Sequence, residues 1–134
     1  MTTVTNERPS GAELLALYDA VGWTAYTRDP DTLAAAIAGS HLVLTARDPD
    51  GQLIGLVRTV SDGATICYLQ DILVDPASQR SGVGRALISA VLTEYADVRQ
   101  FVLLTDDDQA QRAFYRSVGL VRSDESGGHA YLRS

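Results

Sequence analysis

The sequence contains one cysteine and no long hydrophobic run. Cys67 is the single cysteine among 134 residues, so the chain cannot form an internal disulfide or a thiolate metal site from cysteine alone. Because Cys67 lies in an apolar, strand-like stretch, we expect a buried core residue and not a nucleophile. The apolar stretches, such as residues 101–104, are far shorter than the ~20 residues of a membrane-spanning helix. The sequence therefore predicts a protein of a reducing compartment without a membrane span.

Basic residues are also scarce. Eleven Lys and Arg stand against 17 Asp and Glu, which gives a net charge of -6. No basic stripe is present, so a nucleic-acid partner is not expected. The acidity is compatible with a cationic substrate such as an amine, but many acidic proteins owe their charge to solubility alone, and we favour that interpretation. Residues 1–7 lack a basic start followed by an apolar run, so we predict no signal peptide and a cytoplasmic location.

Two helices are predicted near the start of the chain. Ser10 and Glu13 have the spacing of a capping box, and an apolar stripe follows them at helical intervals. Asp29 and Pro30 are typical of a helix N-cap and first turn, and Gly39 ends the second apolar pattern. The length and the absence of linkers or repeats indicate one domain over residues 1–134.

Aromatic side chains lie on the connection between these helices. Trp23 and Tyr26 follow Gly22, which ends the first helical pattern. Aromatic residues on a loop can form the wall of a ligand cleft, or they can cover the hydrophobic core. Both interpretations stay open, and Trp23 and Tyr26 are our candidate substrate-binding residues.

The middle of the chain has the pattern of a sheet. Short turns join its β-branched, apolar runs, which favours an antiparallel meander. A helix and a further strand follow the last of these runs. The order strand, helix, strand favours a parallel pairing between the strand that ends at Val74 and the strand around residues 101–104. The predicted strands cover residues 2–6, 41–46, 52–60, 64–74, 99–105, 120–122 and 130–132, and the later helices begin near residues 83 and 108.

The segment from residue 74 to 87 runs from a strand through a glycine-containing turn into a helix. The first N–H groups of a helix lack partners within it and lie at the positive end of its dipole, which favours phosphate. Gly82 and Gly84 allow close approach of a ligand to the backbone, and Arg80 and Arg85 add positive charge. A tight turn that only packs the helix on the sheet is the alternative. The spacing matches neither a P-loop nor a Rossmann fingerprint.

Two motifs resemble signatures of the GNAT superfamily of N-acetyltransferases. Residues 79–84, Gln-Arg-Ser-Gly-Val-Gly, resemble the acetyl-CoA signature Q/R-x-x-G-x-G/A that opens the main helix of that family. Residues 113–120, Ala-Phe-Tyr-Arg-Ser-Val-Gly-Leu, are similar to its second signature, a helical tyrosine shortly before a glycine and a strand. The resemblance implies an α/β (α+β) GNAT fold with a mixed, mostly antiparallel sheet splayed at the cofactor site and about four flanking helices.

The resemblance also implies roles for individual residues. The backbone N–H groups of the turn would hold the pyrophosphate of acetyl-CoA, and the exposed strand backbone before it would pair with the pantetheine arm. Tyr115 would protonate the departing thiolate of CoA. The implied cofactor-binding set is Leu73, Val74, Gln79, Arg80, Ser81, Gly82, Val83, Gly84, Arg85, Ala86 and Asp108. Asp108 stands where the family often has Asn, and a carboxylate there repels phosphate.

The general base is less well defined. Asp71 is the first candidate, because a carboxylate within an apolar strand is costly unless it has partners or a chemical role. A structural role, accepting hydrogen bonds from loop N–H groups, is the alternative. His41 and His129 are weaker candidates at strand margins.

The implied function is acetyl transfer from acetyl-CoA to a primary amine by direct attack, without a metal ion. A backbone N–H among residues 72–74 would stabilise the oxyanion. The acceptor is a small amine or a protein amine, and a homodimer stays open. The alternative functions are a module that senses acetyl-CoA without turnover and a structural interaction protein that does not bind CoA.

Overall fold

The computed structural model of the chain describes residues 3–133. One five-stranded sheet is covered by helices on both faces. Its strands are β1 (Thr3–Asn6), β2 (Leu42–Arg47), β3 (Leu53–Ser61), β4 (Ile66–Val74) and β5 (Gln100–Leu103). The α-helices are α1 (Gly11–Ala20), α2 (Thr24–Thr27), α3 (Pro30–Ala38), α4 (Val83–Glu94) and α5 (Gln109–Ser117). Short 3-10 turns occupy Pro76–Ser78 and Ser123–Ser126.

The sheet has the strand order β1-β2-β3-β4-β5. The first four strands are antiparallel to their neighbours, and β5 is parallel to β4, so the predicted meander and the predicted parallel pairing are both confirmed. The last pair between β4 and β5 joins Leu69 to Leu103, whereas β4 continues along β3 to Val74. The pairing of β4 with β5 therefore ends at Leu69, and residues 70–74 of β4 have no strand partner on the β5 side among residues 3–133, so we call them the free edge.

Capping explains where the first helices begin. Ser10 Oγ accepts a hydrogen bond from Glu13 N at 3.2 Å, and Glu13 Oε1 accepts one from Ser10 N at 3.1 Å, which is the predicted capping box. Asp29 caps α3 through Thr32 N, and Pro30 occupies its first turn. The interior sides of α1 and α3 pack on one face of the sheet through Leu14, Leu17, Tyr18, Leu33, Ile37, Val43, Leu53, Leu56 and Leu73.

Helix α4 covers the opposite face of the sheet. Gly55 of β3 lies beneath it, and a Cβ at Gly55 would meet Val83 Cγ1 at 2.9 Å and Leu87 Cδ1 at 3.0 Å. Side chains alternate between the two faces along a strand, so Leu56 points toward α1 and α3. The glycine thus lets the start of α4 approach the sheet closely.

Some sequence-based predictions differ from the structure. The connection between α1 and α3 contains the one-turn helix α2, which the sequence pattern did not indicate, so the described residues contain five α-helices. Residues 120–122 and 130–132 form no strand in the part of the chain that the structure covers. Their apolar side chains gain no burial, since Val121 is 60% exposed and Tyr131 is 95% exposed. The predicted first strand begins at Thr3, and Thr2 lies outside the described residues.

The chain forms two compact units, one up to Leu104 and one from Thr105 onward. The first unit contains the whole sheet and helices α1 to α4, and the second contains α5 and the Ser123–Ser126 turn. The organisation of residues 1–134 as a single domain stays a prediction. Among residues 3–133, no helix is long and apolar enough to cross a membrane.

Candidate active site

The turn between β4 and α4 has an unusual backbone. Asp75 Oδ1 accepts a hydrogen bond from Ala77 N at 2.9 Å, which starts the 3-10 turn after β4. Arg80 has φ 65° and Gly82 has φ 90°, both in the left-handed region. Arg80 is the one non-glycine residue with positive φ among those described. Backbones that alternate in this way direct successive N–H groups to one side, and such concave surfaces bind anions.

Helix α4 begins without a side-chain cap. Its N-cap is Gly82, and the first bond of the helix runs from Ala86 N to Gly82 O at 3.0 Å. The N–H groups of Val83 and Gly84 precede that bond and have no acceptor within the helix. An ideal Cβ at Gly82 meets nothing within 4 Å, so there is open space beside the loop. Positive dipole, open space and nearby Arg80 together suit an anionic group.

The free edge of β4 leads directly into this loop. Asp75 N donates to Ile54 O of β3 at 2.8 Å, so the backbone groups of Leu73, two residues earlier, also face β3. Ile72 and Val74 therefore present their N–H and C=O groups to the free edge. The pairing of Leu73 and Val74 with a cofactor stays a prediction, and the period of two along the strand adds Ile72 to the residues whose backbone faces this edge. The side-chain amide of Gln79 donates to Val74 O at 3.2 Å.

Asp71 lies at the centre of a buried polar cluster. Its Oδ2 accepts hydrogen bonds from Arg58 Nε at 2.6 Å and Tyr18 OH at 3.0 Å, and its Oδ1 accepts one from Tyr26 OH at 3.0 Å. Asp71 is 4% exposed and Arg58 is 6% exposed. The donors are side chains and not the loop N–H groups that the structural alternative assumed. The base role of Asp71 stays a prediction.

Charges and burial in this cluster shift the ionisation of its members. Burial raises the pKa of Tyr18, and the neighbouring Asp71 carboxylate raises it further. Burial acts to lower the pKa of Arg58, but its hydrogen bond and attraction to Asp71 outweigh burial and raise that pKa. Burial and the charge of Asp71 also raise the pKa of Tyr68. Arg58 and the two phenols Tyr18 and Tyr68 therefore keep their protons at neutral pH.

Trp23 and Tyr26 lie beside this cluster. The ring of Tyr26 packs against the core and contacts the ring of Tyr18 edge-on at 5.0 Å between centroids. Trp23 is 37% exposed and contacts the ring of Tyr18 at 6.0 Å. Arg58 donates from Nη2 to Tyr26 OH at 3.3 Å. Tyr26 thus covers the core with its ring while its hydroxyl joins the Asp71 cluster, and the substrate role of both residues stays a prediction.

Arg58 and Tyr18 were missed in the sequence. Arg58 is a charged residue inside the apolar run of β3, which is the same signal that singled out Asp71 on β4. Tyr18 lies on the apolar stripe of α1 and carries no sequence signal beyond its hydroxyl. Arg58 is recognised once the strand register places it opposite Asp71, and Tyr18 is recognised once its hydroxyl donates to Asp71 from α1.

The second unit carries Tyr115 and Asp108. Tyr115 lies on α5, its ring contacts Phe114 edge-on at 5.1 Å, and burial raises the pKa of its phenol. Asp108 is the N-cap of α5, and its carboxylate accepts a hydrogen bond from Gln111 N at 2.7 Å. The predicted helix start is confirmed, while the predicted contact of Asp108 with the cofactor stays a prediction.

Other candidate residues have structural partners. Cys67 is buried on β4, as predicted, and burial raises its pKa to about 11, so its thiol is protonated at neutral pH. The Nδ1 of His41 lies 2.6 Å from Tyr95 OH, which in turn lies 2.7 Å from Thr59 Oγ1. Within residues 3–133, no group of three His, Cys, Asp or Glu side chains is placed to hold a metal ion.

Comparison with known proteins identifies one family along most of the chain. The family model described as an acetyltransferase (GNAT) domain matches residues 12–133. "Histone acetyltransferase TAP1" of Glycine max is 32% identical over 125 residues, which cover 84% of this chain and 52% of the relative. "GCN5-related N-acetyltransferase 2, chloroplastic" of Arabidopsis thaliana is 30% identical over 134 residues, with 84% and 50% covered.

A solved structure agrees with these matches. The GNAT family acetyltransferase SP0256 of Streptococcus pneumoniae TIGR4 superposes with a TM-score of 0.88 at 29% identity, covering 100% of this chain and 98% of that chain. This likeness confirms the predicted fold. The chain spans about half the length of the curated relatives it matches. From the motifs, the fold and the family match together, the chain belongs to the GNAT acetyltransferase domain family.

Proposed function

We propose that the protein transfers the acetyl group of acetyl-CoA to a primary amine. The observation that carries this proposal is the free edge of β4, which leads through the turn of residues 75–82 to the start of α4, where no side chain caps the helix. An extended arm with amide groups can add to such an edge as a strand does, and a pyrophosphate suits the helix start behind it. Membership of the GNAT family supports acetyl-CoA as the donor.

The roles of the binding residues follow from this arrangement. The pyrophosphate would be held by residues 79–86, which comprise the end of the turn and the first residues of α4. The N–H groups of Val83 and Gly84 and the charge of Arg80 would contact it. Val74 and Ile72 would pair with the pantetheine arm. An N–H of this edge would also stabilise the oxyanion, because a fixed donor costs no reorganisation during the reaction.

The reaction needs no covalent intermediate on the protein. The neutral amine nitrogen attacks the thioester carbonyl carbon, the new N–C bond forms, and the C–S bond breaks. The attacking nitrogen releases one proton to water, and the CoA thiolate takes one from the phenol of Tyr115, which then regains a proton from water. Burial raises the pKa of Tyr115, so its phenol carries its proton at neutral pH, which is the form that an acid requires.

The proposal is tested by following free-thiol release from acetyl-CoA with a panel of amines. The panel includes small amines, a peptide with a free N-terminus and a lysine peptide, the last because the Glycine max relative is named a histone acetyltransferase. We expect turnover with at least one of them. CoA binding in calorimetry without turnover would support the sensory alternative, and absence of CoA binding would support a structural protein.

Tyr115→Phe tests the acid role. We expect turnover to fall by about tenfold or more while acetyl-CoA affinity changes little, because only the transferable proton is removed. Tyr131→Phe is the matched control, since Tyr131 belongs to the same unit and is 95% exposed. Equal turnover of Tyr115→Phe and the wild type would remove Tyr115 from this role.

The partners and compartment complete the proposal. We propose acetyl-CoA and an amine as the binding partners, with Trp23 and Tyr26 on the acceptor side. The cytoplasm is the proposed location, although the Arabidopsis thaliana relative is named chloroplastic. A homodimer stays a prediction, which the molar mass in solution tests by light scattering.

A further inference from the structure

The ion pair between Arg58 and Asp71 lies at an irregular point of the sheet. Arg58 is opposite Asp71 in the register of β3 and β4, and the next pair joins Thr59 to Leu69. Arg58 and Thr59 are consecutive on β3, but their partners on β4 are two positions apart. Gln70, which lies between those partners, therefore has no partner on β3. This is a β-bulge on β4 at Gln70.

The ion pair makes this register costly to change. Arg58 and Asp71 are both buried and point toward α1, where Tyr18 and Tyr26 complete the hydrogen bonds of the carboxylate. A shift of either strand by one residue would turn one of the two charges to the other face of the sheet. The ion pair would then be broken, and an uncompensated buried charge is strongly destabilising.

The bulge is also where the candidate site begins. Leu69 is the last residue of β4 paired with β5, and the free edge starts at Gln70. The position of the bulge therefore sets which backbone groups of residues 70–74 face the free edge. The same carboxylate binds Tyr26 OH, so one side chain connects the bulge to the segment that carries Trp23 and Tyr26.

We propose that Arg58 and Asp71 are positioning residues, whose ion pair holds the bulge at Gln70 in register and ties Tyr26 to the free edge. The role in turnover rests on the proposed acetyl transfer, and the role in register does not. Asp71 then acts as a fixed acceptor for three donors and not as the base that removes the proton of the amine.

Arg58→Lys is the central test. Lysine keeps the charge but cannot reproduce the fork of guanidinium donors. We expect kcat to fall by about tenfold or more, since small misplacements at a reacting centre are costly, while the KM for acetyl-CoA changes less. Arg47→Lys is the matched control. Arg47 lies on β2 and forms ion pairs with Glu7 and with Glu13 of α1, so we expect this variant to leave kcat unchanged.

Hydrogen exchange gives a readout that does not depend on turnover. The amides of Asp71 and Leu73 face β3, so they report the register beside the bulge. We expect their exchange, measured by NMR, to accelerate about tenfold in Arg58→Lys and to stay unchanged in Arg47→Lys. Unchanged exchange in Arg58→Lys would overturn the proposal. A wild type with normal exchange but no turnover on any amine would instead contradict the proposed function.

Asp71→Asn separates positioning from base catalysis. The groups that face Asp71 are Tyr18 from α1, Tyr26 from α2, Arg58 from β3 and Tyr68 from β4. Positioning predicts a similar loss of kcat at every pH, with the acidic limb of the pH profile kept. Loss of that limb would identify Asp71 as the base and overturn its positioning role.

Tyr26→Phe tests the tie to the acceptor side if Arg58→Lys does not fold. It keeps the ion pair and removes one hydrogen bond to Oδ1. We expect the KM for the amine to rise about fivefold and the exchange at Leu73 to stay unchanged. An unchanged KM for the amine would contradict the tie.

Discussion

At the scale of single residues, the loop before α4 depends on backbone conformation more than on side-chain chemistry. Gly82 has φ 90° and open space around its Cβ position, so a side chain there is disfavoured by the backbone and not by a clash. Gly84 lies inside α4 and is absent from the glycines with positive φ. The two glycines of the motif therefore act differently, although both were predicted to admit a ligand.

Gly82→Ala tests this difference. We expect weaker CoA binding by about tenfold, because a left-handed residue with a Cβ costs roughly 1–2 kcal/mol and the loop would leave its binding conformation. Gly51→Ala is a matched control with φ 84° and equally open space, on the turn between β2 and β3. It should lose similar stability without losing CoA affinity in calorimetry. Equal loss of affinity in both variants would contradict a local role of Gly82.

Some site residues could be predicted from the sequence and others could not, because some belong to local motifs and others depend on contacts between distant parts of the chain. Gly82 and Tyr115 belong to local motifs, so their spacing is visible in the chain. Arg58 contacts Asp71 across 13 positions and Tyr26 across 32, and such contacts depend on strand register and helix packing. The positive φ of Arg80 is likewise not indicated by its residue type, because arginine rarely adopts the left-handed region.

At the scale of elements, capping and periodicity were sufficient for α1, α3 and the meander. The strands predicted at residues 120–122 and 130–132 are absent because a short apolar segment forms a strand only where a neighbour pairs with it and buries one face. The packing of α4 on the sheet could not be predicted, since it depends on Gly55 lying beneath Val83 and Leu87.

Gly55→Ala tests how closely α4 approaches the sheet. We expect the free energy of unfolding to fall by about 1–3 kcal/mol, because the new methyl group overpacks the interface. Val83→Ala should restore part of this loss in the double variant, since it removes the atom that the methyl meets at 2.9 Å. Gly11→Ala, with nothing within 4 Å, is the control. Strictly additive losses in urea denaturation would contradict the contact.

At the scale of the whole molecule, Arg47 connects three parts of the chain. It contacts Glu7 before α1 at 2.8 Å and Glu13 of α1 at 2.5 Å from its own place on β2. Its hydrogen bond, together with the backbone of Ser10, lowers the pKa of Glu13 to about 2, and Arg47 and Thr45 lower the pKa of Glu7. Protons therefore bind these carboxylates more weakly in the folded state than in the unfolded chain.

This difference predicts how stability depends on pH. The stabilisation is present above the unfolded pKa of Glu13, near 4.5, and is lost as the pH falls toward about 2. Arg47→Met should be less stable than the wild type at pH 7, and the difference should shrink between pH 5 and pH 2 (roughly the range between the two pKa values). Arg122→Met removes an exposed pair with Asp124 and is the control. A difference independent of pH in urea denaturation would contradict this account.

The hydrogen bond from Gln79 to Val74 has a consequence for association between molecules. An open strand edge is a template onto which another chain can add, and exposed edges promote aggregation. Here the free edge of β4 spans only residues 70–74, and only alternate residues direct their N–H and C=O groups outward. One of these groups, Val74 O, already accepts a hydrogen bond from the side-chain amide of Gln79. An edge this short is a poor template for a strand of another chain, whereas a flexible arm that supplies its own N–H can replace the amide of Gln79 at Val74 O.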